Sequence, residues 1–368
     1  MIDLLHIRRR VHGARVSYTD ATDPPAHANR PFVIPIFIPQ AGCPHRCAFC
    51  NQPIVAGLPA GQADPAAADA AVEKFLGYRR HGRGPTQLAF YGGNFLGLSP
   101  EDIRRHLDWA GAYVRRGVVD SLRFSTRPDT ISSARLALIR NDPVRTVEIG
   151  VQSMDDQVLA RSRRGHRGRD TQTAVARLRQ AGYDIGLQVM TGLPGDNRER
   201  AFATTEAVIA LAPAFVRIYP TLVLAGSPLA ADYRAGRYQP PTLEASVDLV
   251  ARMWLMLTAA GIRVVRMGLQ DGPGLADRTR VLAGPHHPAF GERVLGNVFR
   301  SMAAAALDAA APARGDDVTL RVNPRRVSVV TGPRRRHRRA LERGYLLRRL
   351  QVSRDDALAL NQLEVDIR

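Results

Sequence analysis

The sequence predicts an α/β fold: a partial, six-stranded parallel (β/α) barrel followed by a small C-terminal α+β appendage. Three observations lead there. From Phe32 onward, short apolar runs alternate with amphipathic stretches, which is the pattern of parallel β/α units. The connections between them are short. Within the last four runs, apolar and polar side chains alternate, so those strands have one face to lay under helices and one to turn inward.

Taken in order, strands are predicted at 32–38, 87–91, 122–126, 146–151, 185–191 and 215–219. Helices are expected over 65–80, 100–116, 132–140, 155–162, 170–181, 198–211 and 242–260. Asp64-Pro65 and Ser99-Pro100 each offer a capping oxygen followed by a proline at the first helical position. Gly182 and Gly261 stand where a helix should stop. In the last of these helices Val247, Val250, Trp254 and Leu257 recur on one face, which should be buried.

Alternation assigns Arg123, Ser125, Arg127, Glu148, Gly150, Gln152, Gly186, Gln188, Met190, Arg217 and Tyr219 to the barrel interior. Unpaired, a buried polar group costs ~2 kcal/mol or more. Such an inner face either pairs within itself, Glu148 with an arginine, or serves a cofactor at the C-terminal strand ends.

The expected organisation is a lead-in over 1–31, a core barrel over 32–270, a Gly/Pro-rich linker or lid over 271–292 and an α+β domain over 293–368. In that last part a helix is expected at 293–311, a hairpin of 317–322 and 326–331 around Asn323-Pro324, and a basic helix at 334–344. The formal charge is +18, and of 52 basic residues only Lys74 is lysine. A basic surface attracts polyanions, so RNA is a candidate partner, with Arg334–Arg339 the densest run; an arginine-rich coding bias explains part of the same excess. No stretch of 18 apolar residues occurs, so no membrane partner is expected. Arg8–Arg10 are not followed by an apolar segment, which points away from secretion and toward a cytoplasmic location.

The chemistry centres on Cys43, Cys47 and Cys50, the only cysteines, which directly follow the apolar run Phe32–Pro39. Three thiolates spaced C-x3-C-x2-C suit a cubane iron–sulfur cluster whose fourth iron stays open to a small molecule. A structural zinc ion would recruit His45 as a fourth ligand, and a disulfide would leave one thiol over.

With Phe49 before its last cysteine, this motif resembles that of the radical S-adenosylmethionine (SAM) superfamily. Ser125-Thr-Arg-Pro-Asp129, Glu148-Ile-Gly-Val-Gln-Ser153, Arg164-Gly-His166, Arg217-Ile-Tyr-Pro-Thr-Leu-Val223 and Gly236-Arg-Tyr238 resemble the radical SAM domain of the Elongator catalytic subunit. Gly150-Val-Gln152 and Gly192-Leu-Pro194 are similar, more distantly, to oxygen-independent coproporphyrinogen oxidases. The resemblance covers roughly residues 30–270. It implies a 4Fe-4S cluster on Cys43, Cys47 and Cys50, and SAM held by Gly92, Gly93, Asn94, Ser125, Gln152, Arg164 and Gln188. Ser125, Gln152 and Gln188 are also placed inside the barrel by alternation alone.

The resemblance further implies a reductant such as flavodoxin or ferredoxin and hydrogen abstraction from a substrate, which the sequence leaves open between an RNA base and a small, porphyrin-like metabolite. Arg217 and Tyr219 are the candidate substrate contacts, and His286 and His287 are candidate ligands or acid/base groups. Two departures stand out. Asn94 replaces the family's Glu or Thr after the glycine pair. About 100 residues follow Gly268 without a Gly-rich pyrophosphate loop, so no acetyl-CoA module is expected, and with no further cysteine no second cluster is expected either. The competing reading is a zinc- or cluster-stabilised RNA-binding protein without radical chemistry.

Overall fold

Two short antiparallel strands, β1 (Arg10–His12) and β2 (Arg15–Ser17), come first in the computed structural model. The residues described are 10–12, 15–17, 31–44, 46–61, 65–78, 84–269, 273–277 and 279–367, so the expected cap Asp64 and the candidate zinc ligand His45 lie outside them. The chain forms two units, one of His27–Leu243 with Gly268–Pro288, the other of Met1–Ala26, Glu244–Met267 and Ala289–Arg368.

Six parallel strands carry the larger unit: β3 (Phe32–Phe37), β4 (Thr86–Tyr91), β5 (Ser121–Thr126), β6 (Val144–Gln152), β7 (Asp184–Thr191) and β8 (Phe215–Pro220). Each pairs in parallel with the next, in chain order. Between them run α1 (Gln52–Ala56), α2 (Pro65–Leu76), α3 (Pro100–Arg115), α4 (Ser133–Ala137), α5 (Asp156–Arg161), α6 (Gly168–Gln180) and α7 (Arg198–Ala210). The six expected strands are all present, in a sheet of seven, so the expected partial barrel gains one strand that was not predicted. The predicted cap at α3 is present, with Ser99 Oγ accepting from Asp102 N at 3.1 Å ahead of Pro100.

Outward-facing strand residues form the core. Ile34, Leu88, Leu122, Phe124, Val147, Ile149, Val216 and Ile218 are fully buried, as are Ile103 and Leu107 of α3 and Val175 and Leu178 of α6. Phe95 stacks between Phe90 and Phe124, with centroids at 5.1 and 4.6 Å.

The inner face is polar, and it pairs within itself. At its base Gln87 Nε2 donates to Ser121 Oγ and Thr146 Oγ1 at 3.0 and 3.2 Å. One layer up, Glu148 lies 3.2 Å from Arg123 and 2.9 Å from Arg217. Tyr91 Oη donates to the same carboxylate at 2.7 Å and accepts from Arg217 Nη2 at 2.8 Å. Gly186 makes space on this face for the Phe215 ring, over which the Arg123 guanidinium sits at 4.7 Å.

After β8 come β9 (Val223–Leu224), α8 (Pro228–Arg234), α9 (Leu243–Ala259), β10 (Val264–Met267), α10 (Pro273–Ala276) and β11 (Val281–Ala283), which pairs antiparallel with β9. Val247, Val250, Trp254 and Leu257 of α9 are buried together, as their spacing requires. The smaller unit continues with α11 (Phe290–Ala310), β12 (Asp317–Val322), α12 (Val327–Thr331), α13 (Arg336–Gly344), β13 (Arg349–Arg354) and β14 (Gln362–Ile367). Its sheet has the order β1-β2-β14-β12-β13.

The expected hairpin around Asn323-Pro324 is not there. Residues 327–331 are helical, and β12 pairs instead with β13 in parallel and β14 antiparallel. The β-branched run Val327-Ser-Val-Val-Thr331 imitates a strand. However, Asn323 Oδ1 accepts from Arg325 N at 3.1 Å and Pro324 fills the next position, which together are a helix start.

Replacing Gly186 with alanine places a Cβ within 2.2 Å of the Phe215 ring. Overpacking of this kind should cost ~1–3 kcal/mol in urea denaturation of the full chain, and the added change Phe215→Leu should recover part of it.

Candidate functional site

The cysteines sit on the loop that β3 delivers to the C-terminal edge of the sheet, and backbone bonds hold this loop on several sides. Gln40 N donates to Gly92 O at 2.8 Å, and Asn94 N donates to Ala41 O at 2.8 Å. Ala48 N reaches Ser162 O at 2.9 Å, while Ala48 O accepts from Leu229 N at 2.8 Å. Gly42 has φ +70°, and a Cβ there would come within 2.2 Å of Asn94 O, so only glycine fits. Phe49 packs against the buried cluster of Val223, Leu229 and Ala230 and so anchors the loop between Cys47 and Cys50.

Asn94 is completely buried, and both ends of its amide are used. Nδ2 donates to Gly42 O at 2.8 Å. Oδ1 accepts from Thr126 Oγ1, Arg127 N and Thr130 Oγ1 at 2.7, 2.9 and 3.0 Å. The side chain ties the cysteine loop to the end of β5. Beside it, Gly93 packs on the carbonyls of Ala41 and Ile38, while a Cβ on Gly92 would meet only ordinary contacts.

Two guanidiniums converge on Cys47. Arg164 Nη1 is 3.3 Å and Arg127 Nη1 3.9 Å from its sulfur. Arg164 also donates to Gly150 O, and Arg127 donates both to Arg164 O and to the Asp129 carboxylate. Burial first, then the neighbouring Cys47 and Cys43, pushes the Cys50 thiol up to about 12. Desolvation of the sulfur, then Cys47, likewise raises Cys43, although the residue as a whole is exposed. The three sulfurs therefore lie in one another's field.

Of the other expected contacts, Gln188 Nε2 donates to Gln152 Oε1 at 3.2 Å. A bulge between Gly150 and Gln152 gives Gln152 φ +68° and keeps its amide on the inner side with Gln188. Ser125 is half-buried and in register with Glu148. Arg217 Nη1 donates to Tyr219 Oη at 3.3 Å, so the two candidate substrate contacts belong to the Glu148 network. His286 and His287 are half-buried beyond β11. Sequence reasoning placed Arg127 on the inner face without naming it among the SAM contacts, and it gave Tyr91 no role.

Among the described residues, no three His, Cys, Asp or Glu side chains are gathered tightly enough for a single metal ion. The ligands of a cubane sit on three different irons and are spaced more widely.

The chain belongs to the radical SAM superfamily: that family's profile matches residues 37–207, and the Radical_SAM C-terminal domain matches residues 213–300. Members of this superfamily are enzymes that use a 4Fe-4S cluster and SAM. Within it the chain is similar to Elongator-type proteins. It is 31% identical over 157 residues to a tRNA uridine(34) acetyltransferase of Dehalococcoides mccartyi, covering 42% of this chain and 34% of that one. It is 29% identical over 208 residues to Elongator complex protein 3 of Danio rerio, covering 51% and 38%. The chain thus spans little more than a third of the length of these relatives. Among solved structures, the archaeal Elp3 of Methanocaldococcus infernus with an N-terminal deletion has the same fold, with a TM-score of 0.57 and 21% identity over 74% of this chain and 63% of that one.

Two outcomes are expected here. Asn94→Ala strands several buried partners and should destabilise the unit by at least ~2 kcal/mol, with faster amide hydrogen exchange across residues 40–50. His166 is buried, and burial followed by Arg164 pushes its pKa from 6.5 down to about 4. Between those values the unfolded chain binds the extra proton. Stability from this group is therefore complete above pH 6.5 and falls, by up to ~3 kcal/mol, as the pH drops toward 4. Asp196, raised by burial to about 6, works in the opposite sense. The stability difference between the native chain and His166→Phe, measured at pH 4 and pH 7, should isolate the histidine.

Proposed function

We propose that Cys43, Cys47 and Cys50 hold the 4Fe-4S cluster, that the strand ends beside them hold SAM, and that the substrate is an RNA base. The observation that carries the cluster assignment is the pairing of the Cys47 sulfur with Arg164 at 3.3 Å and Arg127 at 3.9 Å. Two fixed cations beside one thiol suit an anionic, thiolate-ligated cluster, and no other cysteine in the sequence competes for this place. When bound, the cluster and SAM supply a 5′-deoxyadenosyl radical able to take a hydrogen atom from a substrate.

The chain's own residues do the positioning. Gly92 lets the backbone approach a ligand at the end of β4, and Gly93 keeps that turn seated on the cysteine loop. Gln152 and Gln188 bond to each other and retain further amide groups for SAM. Ser125 and Arg164 complete that set from β5 and the segment after α5. Asn94 acts through the loop it fixes, because its carbonyl already accepts from three donors. Arg217 and Tyr219 are the substrate contacts in this reading, held in place by Glu148 and Tyr91.

An RNA base is supported by the relatives whose names specify a tRNA uridine and by the formal charge of +18. A flavodoxin or ferredoxin would supply the electron. The decisive experiment is anaerobic reconstitution with iron and sulfide, reduction with dithionite, and incubation with SAM. Release of 5′-deoxyadenosine and methionine is expected, with at least ~100-fold less from Cys43→Ala, Cys47→Ala or Cys50→Ala. A colourless, zinc-loaded protein that leaves SAM intact would overturn the assignment. Deuterium transfer from base-deuterated tRNA into 5′-deoxyadenosine tests the substrate.

Arg127→Met should shift the midpoint potential of the reconstituted cluster to more negative values, since a cation near a ligating sulfur favours the reduced state. Arg127→Lys should restore part of the shift in the same redox titration.

A further inference from the structure

Helix α13 of the smaller unit carries its charge against its own dipole. Arg336, Arg338 and Arg339 occupy its first turn, no acidic residue accompanies them, and no side chain caps the helix. Cations at the positive end of a helix are unfavourable. Arg334 and Arg335, immediately before it, both adopt left-handed conformations with φ of 48° and 63°. Non-glycine residues take up that conformation at a cost.

The inner face of the helix is firmly seated. His337 Nδ1 lies 3.1 Å from Val329 O, and its ring packs against Gly296 and Gly332. Leu341 is buried, and Tyr345 Oη donates to Ala304 O at 2.8 Å. The outer face is thereby fixed as Arg336, Arg339 and Arg343, all exposed, in a row spanning ~10 Å along the axis.

The unit supplies little to neutralise this row. Residues 289–368 hold sixteen arginines and nine carboxylates. Most of those carboxylates are engaged elsewhere: Asp317 with Arg348, and Asp355, Glu364 and Asp366 all with Arg321. Asp308 accepts from Tyr345, and Glu342 accepts from Leu350 N. Among the described residues, Arg334, Arg335, Arg336, Arg339 and Arg343 form no ion pair, although α13 and the two residues before it bring them together. Residues 1–30 hold five arginines against three aspartates, so that segment adds no net negative charge.

We infer that this arginine row, with Arg334 and Arg335, is a docking surface for the phosphate backbone of RNA. The inference rests on the reading that the substrate is an RNA. A polyanion offers what the unit lacks, several fixed negative charges in line. A membrane surface fits less well, because the outward row at 336, 339, 340 and 343 holds no large apolar side chain to enter lipid.

The test is fluorescence anisotropy of a labelled tRNA transcript against the full chain between 50 and 200 mM KCl. Every phosphate that an arginine no longer neutralises should lower the salt slope by ~0.9. The triple variant Arg336→Ser/Arg339→Ser/Arg343→Ser should therefore show a slope smaller by ~2–3 and bind at least ~10-fold more weakly at low salt. The corresponding lysine variant should retain the slope, and so should a control with Arg115, Arg140 and Arg145 changed to serine. An unchanged slope in the serine triple overturns the docking surface. So does binding to vesicles of 30% phosphatidylserine that depends on the row while RNA binding does not. The substrate reading fails separately: row-dependent RNA binding without deuterium transfer from that RNA would count against RNA as substrate and leave the surface standing.

Discussion

A half-barrel with a charged inner face needs its buried charges paired, and in this chain the pairing depends on Glu148. Its carboxylate is shared by Arg123 of β5, Arg217 of β8 and the Tyr91 hydroxyl of β4, so one buried anion joins four of the six strands. Removing one partner from such a network leaves an uncompensated buried charge, typically ~3–5 kcal/mol. The same network fixes the orientations of Arg217 and Tyr219, and through Tyr91 it ends directly at the Gly92-Gly93 turn. Barrel stability and site geometry therefore share atoms.

Above this layer the cysteine loop is held by a different device. Asn94 bridges the loop to β5 with four hydrogen bonds inside a fully buried site, and Gly42 permits the backbone to approach it closely. The Arg127–Asp129 pair, with Arg127 also reaching the Arg164 carbonyl, then sets the two guanidiniums around Cys47. A cysteine loop without regular secondary structure gains its order from these bonds, so the positions of the sulfurs depend on residues that need not touch a ligand.

Much of this was legible in the sequence, for identifiable reasons. The strands β5 to β8 follow from alternation because one face is apolar and the other polar, and a slip of one residue would bury their charges under the helices, whereas β3 is legible as an apolar run. Pairing of Glu148 with arginine follows from the same rule. The role of Asn94 was not legible, because a carbonyl that could serve a ligand looks the same as one already used by Thr126, Arg127 and Thr130. Short elements such as α1 and α8 span too few residues to show a period, and they are held by bonds distant in sequence, as between Asn51 Nδ2 and Ala225 O at 2.7 Å. The hairpin expected around Asn323-Pro324 failed because a β-branched run outweighed a correct capping signal beside it.

The two units handle an excess of arginine in contrasting ways. In the larger unit the arginines nearest the site are engaged: Arg123 and Arg217 with Glu148, and Arg127 with Asp129. In the smaller unit Arg321 takes three carboxylates, and those acids are then lost to the arginines around α13. Net charge alone does not separate these cases, since an arginine counts equally whether it is neutralised in a core or held toward solvent. What separates them is where the carboxylates go. A site that must exclude water needs its cations balanced internally, whereas a surface that must attract phosphates needs them left unbalanced. An arginine bias in coding explains the abundance of the residue, but it does not explain why the acids are drawn away from one helix and concentrated on Arg321 instead.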